Sequence, residues 1–359
     1  MYKDGGLTYL KPLNYRQEWS HLFRDDFKYL DVVLNTKTLK NVFVNHYGLV
    51  LKNGLLVRGC APNIGWSTYD KGHYFMHWRK AIEQQVVSKY GKSIQRKNLD
   101  TKKNYLLIHS PWFSYYFWIT ECLPRLLSVE NEHAALTLIY PENWKNISFV
   151  NETLANFPKL RHEVIPQDVH MFVPNLVMPE VKPWTPMFIP DQIIAARDFL
   201  LNMVQKEGIT SPFGERLYIS RKHAARKKFT DEEAVERCMS QLGFETVCME
   251  MYSFKEQIAI MHKAKEVVAI TGAGTINALF MKPGGVLIDI PHKDYILKDQ
   301  YKFHFYKMCN IVNIDYAVFF ANRIDDPAVD HYSKQNLIFK KDEFLDFYMT
   351  YISNDTTCN

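Results

Sequence analysis

The sequence Glu266-Val-Val-Ala-Ile-Thr-Gly-Ala-Gly-Thr-Ile-Asn277 joins a short apolar run to a glycine-rich turn. Apolar residues fill positions 267–270 without alternation, which is typical of a strand that is buried on both faces. The glycines allow a tight turn, and the residues after them predict a short helix over 274–281. This succession of strand, turn and helix is the element from which the fold can be predicted.

The same succession recurs on both sides of this stretch. Further strands are predicted at 216–220, 245–248 and 286–290, with helices at 191–207, 231–242 and 253–263. Short buried strands joined by helices of ordinary length predict an α/β fold with a doubly wound parallel sheet, because parallel neighbours need such crossovers. Sheets of this kind bind ligands at the carboxyl ends of their strands.

The first half of the chain is also α/β in pattern, but less regular. Apolar runs at 41–44 and 48–51, followed by Asn53-Gly54, predict an antiparallel β region near the start. A strand at 105–109, a helix at 114–129 and a strand at 135–140 predict one β-α-β unit.

Prolines concentrate between Pro174 and Pro190, which hold five of the sixteen in the chain. Proline fixes φ and lacks an N–H, so we expect no regular helix or central strand there and interpret the stretch as an interdomain connection. The predicted domains are therefore residues 1–185 and 186–359. A last helix at 341–352 could pack back on the N-terminal domain.

Length and charge bound the class of protein. The chain has 359 residues, 47% of them hydrophobic, and about 150 residues per domain predicts two domains. Its 44 Lys and Arg against 39 Asp and Glu give a net charge of +5, too balanced for a protein that coats nucleic acid.

Cysteine usage and hydropathy suggest a location. The sequence contains no run of about 18 apolar residues, the length needed to span a bilayer. The six cysteines form no C-x-x-C pair that would indicate a zinc site. We expect a cytoplasmic protein with no bound metal. The alternative is a lumenal domain whose anchor has been removed.

The glycine-rich turn at 271–277 is a candidate phosphate site. Glycines let backbone N–H groups approach a phosphate, and the helix N-terminus adds a partial positive charge. One alternative is a plain β-α turn. Another is a dinucleotide-binding turn, for which Asp289 at the end of the next strand would bind a ribose, although Asn277 replaces the third glycine of that pattern.

A second candidate is the run of six cations from Arg216 to Lys228, which contains no acid. Arg221 and Arg226 flank a loop at the carboxyl end of a strand, where forked guanidinium groups suit a diphosphate. The alternative is a solvated charge run. In a doubly wound sheet this loop and the glycine-rich turn share one edge, so a nucleotide diphosphate fits both.

A third candidate is Glu121, which lies one helical turn after Phe117 and Trp118. A carboxylate in such an aromatic environment could accept a proton from a hydroxyl group. The alternative is an i,i+4 ion pair with Arg125 on a helix surface.

Together these segments resemble glycosyltransferase family 61. From Arg216 to Pro291 the family's order and spacing are matched by Leu217–Arg221, Ala225-Arg226, Asp231–Glu233, Gly243–Glu245, Ser253-Phe254, Gln257-Ile258, Gly272–Asn277, Leu279-Phe280 and Pro283-Gly284. The block Glu121-Cys-Leu-Pro-Arg-Leu126 resembles the family as well. Thr271 and Phe117 stand where the family usually has histidines, so the chain resembles a divergent member.

The resemblance implies a GT-B architecture of two Rossmann-like domains facing a cleft. The N-terminal domain would be the acceptor side, and the C-terminal domain would hold a nucleotide sugar, usually a UDP-sugar. It also implies inversion at the anomeric carbon and transfer to a hydroxyl of a glycan or glycoconjugate. No cofactor is implied, and the lack of any Asp-x-Asp sequence agrees with metal independence.

On this interpretation Glu121 is the catalytic base and Arg221 stabilises the leaving diphosphate, with Glu250 at the ribose hydroxyls. The predicted donor site consists of Arg221, Arg226, Glu250, Ser253, Thr271, Gly272, Ala273, Gly274, Thr275 and Asn277. Two alternatives stay open at this point. One is an NAD-dependent dehydrogenase or nucleotide-sugar epimerase on the same sheet, and the other is an inactive nucleotide- or glycan-binding homologue.

Overall fold

The computed structural model describes residues 10–20, 23, 34–57, 59–60, 79, 95–167, 169–181, 188–294, 304–329 and 334–353. They form two compact units, one within Leu30–Ala196 and one formed by Met1–Tyr29 with Arg197–Asn359. The predicted boundary lies between residues 185 and 186, whereas the two units divide between Ala196 and Arg197, inside a helix. The division also assigns residues before Leu30 to the C-terminal unit.

The unit within Leu30–Ala196 is built on an eight-stranded mixed sheet. Its strands are β1 (Thr36–Val44), β2 (Val50–Lys52), β3 (Leu55–Leu56), β4 (Gln95–Asn98), β5 (Asn104–Leu107), β6 (Leu136–Pro141), β7 (Arg161–Ile165) and β8 (Val169–Pro179). The order is β3-β2-β1-β8-β5-β6-β7, with β4 also paired to β8. Strands β1 to β3 pair antiparallel and β4 to β8 pair parallel, apart from the antiparallel join of β1 to β8.

The predicted antiparallel region is confirmed. Strands β2 and β3 pair through Leu51 and Leu56 and through Lys52 and Leu55. Asn53 and Gly54 between them have φ of 52° and 77°. Two positive φ values in a two-residue turn match the right-handed twist of the flanking strands, which is why Asn-Gly predicts this hairpin.

The prediction of no regular strand from Pro174 onward is wrong for Pro174 and Pro179, which lie in β8. Pro174 falls where both neighbours of β8 are interrupted. On one side it faces Asn41 of β1, a residue with φ of 55° that makes no ladder pair. On the other side β4 has ended and β5 has not begun. A missing N–H is tolerated at such a break. Pro183 and Pro186 lie outside the described residues.

The predicted β-α-β unit is confirmed, with β5 and β6 parallel neighbours. The helix between them, α1, consists of Tyr115–Phe117, Trp118–Cys122 and Leu123–Leu127, and its middle turn is π-helical. There the N–H of Leu123 donates to the carbonyl of Trp118, five residues back. Pro124 follows this turn, and a proline inside a helix would clash with the carbonyl four residues before it. A second helix, α2 (Ser148–Leu154), follows β6.

The other unit is built on a parallel sheet, so the predicted α/β fold with a parallel sheet is confirmed here. Its strands are β9 (Arg216–Ile219), β10 (Glu245–Val247), β11 (Glu266–Ile270), β12 (Val286–Ile290) and β13 (Asp315–Val318), in the order β10-β9-β11-β12-β13. The helices are α3 (Pro190–Lys206), α4 (Glu232–Gln241), α5 (Phe254–Lys263), α6 (His304–Ile311) and α7 (Lys341–Tyr351). A 3-10 helix, Ala273–Phe280, follows β11, and a small hairpin pairs β14 (Asn322–Arg323) with β15 (Leu337–Ile338).

One face of the last described helix, α7, packs into the core of its own unit. Phe344, Phe347 and Tyr348 of α7 belong to the core that also contains residues of the parallel sheet, and the ring of Phe344 lies 5.1 Å from that of Phe319. The aromatic face of α7 is therefore occupied within the C-terminal unit. Among the described residues, no helix is both long and apolar enough to cross a membrane.

Leu13 and Asn14 form hydrogen bonds with the open edge of the parallel sheet. Strand β13 is the last strand, and the N–H of Leu13 donates to the carbonyl of Tyr316 at 2.8 Å. The side-chain amide of Asn14 donates to the carbonyl of Val318 at 2.7 Å and accepts from its N–H at 3.1 Å. These bonds satisfy main-chain groups that an edge strand would otherwise expose.

We predict that Gly48→Ala destabilises the N-terminal unit more than Gly54→Ala. Both glycines have positive φ, 78° and 77°, so either alanine adds about 1 to 2 kcal/mol of backbone strain. A Cβ at Gly48 would also lie 2.5 Å from the carbonyl oxygen of His109, whereas nothing lies within 4 Å of one at Gly54. Urea denaturation of the two variants measures the difference, and equal losses of stability would contradict the prediction.

Candidate functional site

The candidate site lies where the strand order of the parallel sheet reverses. From β9 the chain moves to β10 on one side, then to β11 on the other side, and from there outward to β12 and β13. The loops that leave β9 and β11 therefore diverge from neighbouring strands. In open α/β sheets this is the place where ligands bind.

The structure brings Arg221 and the glycine-rich turn together at this position. A Cβ at Gly272 would lie 3.8 Å from Nη1 of Arg221. Gly272 itself is fully extended, with φ of −171° and ψ of 179°. The loop after β9 and the turn after β11 thus meet with only hydrogen atoms on the glycine between them.

Thr275 fixes the shape of the glycine-rich turn. Its hydroxyl accepts from the N–H of Gly272 at 3.0 Å and donates to the carbonyl of Ile270 at 3.3 Å. Ala273 and Gly274, which begin the 3-10 helix, are exposed. Two main-chain N–H groups in the first turn of a helix are suitable donors for a phosphate oxygen.

The guanidinium group of Arg221 is oriented by its own loop. Nε donates to the carbonyl of Lys227 at 2.7 Å, and Nη2 lies 3.5 Å from the carbonyl of Arg226. Burial lowers the pKa of Arg221, and the charges of Glu250 and Glu232 raise it. Arg226 contributes its carbonyl to this arrangement, while its side chain is exposed.

Glu232 fixes the loop after β9 through hydrogen bonds, a role that was not predicted from the sequence. One carboxylate oxygen accepts from the hydroxyl of Tyr218 at 2.6 Å and from the N–H of Arg221 at 2.9 Å, and the other accepts from the N–H of Phe229 at 3.0 Å. The neighbouring Asp231 caps α4 through the N–H of Ala234. Three consecutive acids signal a helix start, but the sequence does not indicate which one turns inward.

Glu250 and Ser253 lie in the segment that follows β10. Glu250 is exposed in the short 3-10 turn Met249–Met251, where its charge acts on Arg221. Ser253 is the N-cap of α5, and its hydroxyl exchanges hydrogen bonds with Glu256 in a capping box. The hydroxyl of Ser253 is thus used by the helix that starts there.

Asn277 is buried and connects the glycine-rich turn to α5. Its side-chain amide donates to Oε1 of Gln257 at 3.3 Å, and Gln257 in turn donates to the carbonyls of Met249 and Tyr252 at 2.9 and 3.0 Å. These bonds link the turn after β11 to the segment after β10. Asn277 occupies the position at which a dinucleotide fingerprint has glycine.

Thr271 and Asp289 bond to each other beneath the turn. The hydroxyl of Thr271 donates to Oδ1 of Asp289 at 2.6 Å, and the hydroxyl of Tyr316 donates to Oδ2 at 2.8 Å. Burial raises the pKa of Asp289 to about 6, against the opposing effects of these bonds and of the Lys227 charge. Asp289 is 2% exposed, so its carboxylate does not point out of the sheet edge as a ribose-binding acid would.

The remaining cations of the run have separate roles. Lys222 pairs with Glu236 at 3.4 Å. Arg216 lies at the opposite end of β9, where it pairs with Glu266 at 3.3 Å and stacks on the ring of Phe244. The interpretation of residues 216–228 as a solvated charge run therefore applies to only some of the six cations. No group of three or more His, Cys, Asp or Glu side chains is placed to hold a metal ion within the described ranges.

Glu121 belongs to the other unit, in the π-helical turn of α1. Its side chain is 3% exposed and that of Arg125 is 2% exposed, so the alternative of an ion pair on a helix surface is wrong. Arg125 donates to the main-chain carbonyls of Pro179, Leu107 and Ile108. Burial raises the pKa of Tyr116 well above its usual value, and the charge of Glu121 adds to this increase. Single π turns occur often at functional positions.

Comparison with known proteins identifies the family. The model described as Glycosyltransferase 61 matches residues 115–288, a range that contains every predicted site residue from Glu121 to Asn277. A search of curated proteins found no significant match. Residues 115–288 of this chain therefore belong to glycosyltransferase family 61.

Proposed function

We propose that the chain is an inverting, metal-independent glycosyltransferase that moves a hexosyl or pentosyl group from a UDP-sugar to a hydroxyl of a glycan or glycoconjugate. The observation that carries the proposal is the convergence of Arg221 on the glycine-rich turn, where Nη1 would lie 3.8 Å from a Cβ at Gly272. The proposal includes the GT-B architecture that the family resemblance implies, and it includes no cofactor.

The first part of the proposal concerns the leaving group. When the bond between the anomeric carbon and the diphosphate lengthens, negative charge grows on the phosphate oxygens. Arg221 is already oriented by the carbonyls of Lys227 and Arg226, and Ala273 and Gly274 are exposed at the start of the 3-10 helix that follows Gly272. A donor that is held in place before the reaction stabilises a developing charge by about 3 kcal/mol.

The second part concerns the nucleoside. Glu250 is exposed after β10 and is close enough to Arg221 to influence its pKa, so we assign it to the ribose hydroxyls. Asn277 and Ser253 contribute by fixing the loops through Gln257 and through the α5 cap. Arg226 adds an exposed cation to the same loop, and Thr271 and Thr275 hold the turn in shape.

The third part concerns the acceptor. Inversion requires one displacement, in which the acceptor oxygen attacks the anomeric carbon and loses its proton to a base. We assign this role to Glu121, which is buried in the π-helical turn of α1. A carboxylate shielded from water is a stronger base than one in solvent.

The donor assignment predicts which nucleotide stabilises the protein. In a thermal-shift panel of UDP, GDP, CMP, dTDP and NAD, we expect UDP to raise the melting temperature both with and without EDTA. A ligand at 100 times its Kd stabilises the folded state by about 2.7 kcal/mol. A shift with NAD alone would favour a dehydrogenase or epimerase, and a UDP shift abolished by EDTA would contradict metal independence.

Arg221→Ala is expected to weaken UDP binding by about 10- to 100-fold, because charge-assisted hydrogen bonds contribute about 1.5 to 3 kcal/mol. Isothermal titration calorimetry measures the loss, and sugar transfer should be abolished. Arg237→Ala is the matched control, since Arg237 is an exposed arginine on α4 with 67% of its side chain accessible. Unchanged UDP affinity in Arg221→Ala would remove the diphosphate role.

Glu121→Gln is expected to leave UDP affinity intact while lowering kcat by at least about 100-fold, because general bases contribute about that much or more. Glutamine keeps the shape of the side chain but accepts no proton. Glu130→Gln, at an exposed position after α1, serves as the control in the same kinetic assay. A kcat near that of the wild type would show that Glu121 is a structural residue.

A further inference from the structure

The 3-10 helix that begins at the glycine-rich turn has a fully buried carboxyl end. Leu279, Phe280 and Met281 are each 0% exposed. The carbonyl of Ala278 accepts from the N–H of Met281 at 3.1 Å, which closes the last turn. The carbonyls that follow lie beyond the reach of helical N–H donors, and buried carbonyls need partners from elsewhere.

Arg197 of α3 supplies two of these partners. Nε donates to the carbonyl of Leu279 at 2.8 Å, and Nη2 donates to the carbonyl of Met281 at 3.1 Å. Nη1 pairs with Asp198 at 3.3 Å, and the side chain of Arg197 is only 16% exposed. A planar guanidinium group holds two carbonyls in a fixed relative position, and its positive charge suits the carboxyl end of a helix.

His262 supplies the third partner. Its Nδ1 lies 3.0 Å from the carbonyl oxygen of Phe280. Because a carbonyl only accepts, Nδ1 carries the proton and donates. His262 lies in the last turn of α5, and Gln257 of the same helix accepts from Asn277 at 3.3 Å. Helix α5 therefore holds the 3-10 helix both in its middle and at its end.

The bonds at the carboxyl end affect the turn because the helix between them is short. Its eight residues span roughly 16 Å at about 2 Å per residue. At the other end Thr275 bonds to the N–H of Gly272 and to the carbonyl of Ile270. A short, closely packed helix fixed at both ends has little freedom to rotate, so the N–H groups of its first turn keep their direction.

We propose that Arg197 and His262 are positioning residues that fix the glycine-rich turn for a phosphate group by holding the carboxyl end of the 3-10 helix. In this role neither side chain touches the ligand, and both act through the main chain of the helix. The positioning is a property of the ligand-free protein. Only the identity of the ligand, the diphosphate of a UDP-sugar, rests on the proposed function.

Amide hydrogen exchange without ligand tests the proposal. Arg197→Met should speed exchange of residues 272–281 by at least about tenfold, because hydrogen bonds from a charged donor are stronger than those between neutral groups. Asp198→Asn is the matched control, since it removes the ion pair to Nη1 and leaves both carbonyl bonds in place. Residues 216–219 of β9 are the internal reference and should exchange as in the wild type.

His262 offers a second pair of variants that does not depend on the first. His262→Leu removes the donor to the carbonyl of Phe280, whereas His262→Asn keeps a side-chain N–H. We expect faster exchange of residues 272–281 in His262→Leu and slow exchange again in His262→Asn. A residue that only fills space would not show this recovery.

Steady-state kinetics separate positioning of the turn from a general loss of structure. Arg197→Met and His262→Leu should raise the KM for the sugar donor by about tenfold, because they weaken binding that the ground state shares with the transition state. The KM for the acceptor should keep its wild-type value, and kcat should fall less than the donor KM rises.

The outcomes are distinguishable from failure of the proposed function. Equal exchange of residues 272–281 in Arg197→Met and Asp198→Asn would overturn the proposal, as would a His262→Asn that exchanges as fast as His262→Leu. Faster exchange of residues 216–219 to the same degree would also overturn it, because the loss would then be general. Faster exchange confined to residues 272–281, in a protein that does not bind UDP, would support the positioning residues and refute the donor assignment.

Discussion

One buried carboxylate determines the shape of the candidate site. Glu232 accepts hydrogen bonds from the hydroxyls of Tyr218 and Ser220 and from the N–H groups of Arg221 and Phe229. Both ends of the loop after β9 are thereby attached to a single side chain. A loop with several cations would otherwise be spread by like-charge repulsion. The position of Arg221, and with it the contact to the glycine-rich turn, depends on this attachment.

The parallel sheet could be predicted because its strands are buried on both faces. Runs such as Val286–Ile290 and Glu266–Ile270 are short and almost wholly apolar, and the structure forms strands with these same limits. The run around β13 carries the same signal but is shorter and follows an irregular sequence, so its strand was not predicted. At Pro174 the sequence predicted no central strand, yet this residue lies in β8. The break in the ladder that accommodates the proline depends on Asn41, more than 130 residues earlier.

The site could be predicted only to the level of its loops. Sheet topology placed the residues around Arg221 and Gly272 at one edge, as the strand pattern required. The partners of individual side chains could not be inferred, because they come from distant positions. Thr271 bonds to Asp289, Ser253 caps a helix, and Arg226 supplies a carbonyl. Packing likewise decides which of the three acids at the start of α4 faces inward.

The contrast between Arg216 and Arg221 shows how one strand can carry two different cations. At the beginning of β9 Arg216 is paired with Glu266 and lies over the ring of Phe244, so its charge is matched by a carboxylate. At the other end Arg221 is oriented by main-chain carbonyls, which fix its direction without neutralising it. The charges of Glu250 and Glu232 favour the charged form of Arg221. Nη1 is the nitrogen of Arg221 that lies near Gly272. A cation held by neutral acceptors keeps its charge for an anionic ligand, which under the proposed function is the diphosphate of the donor.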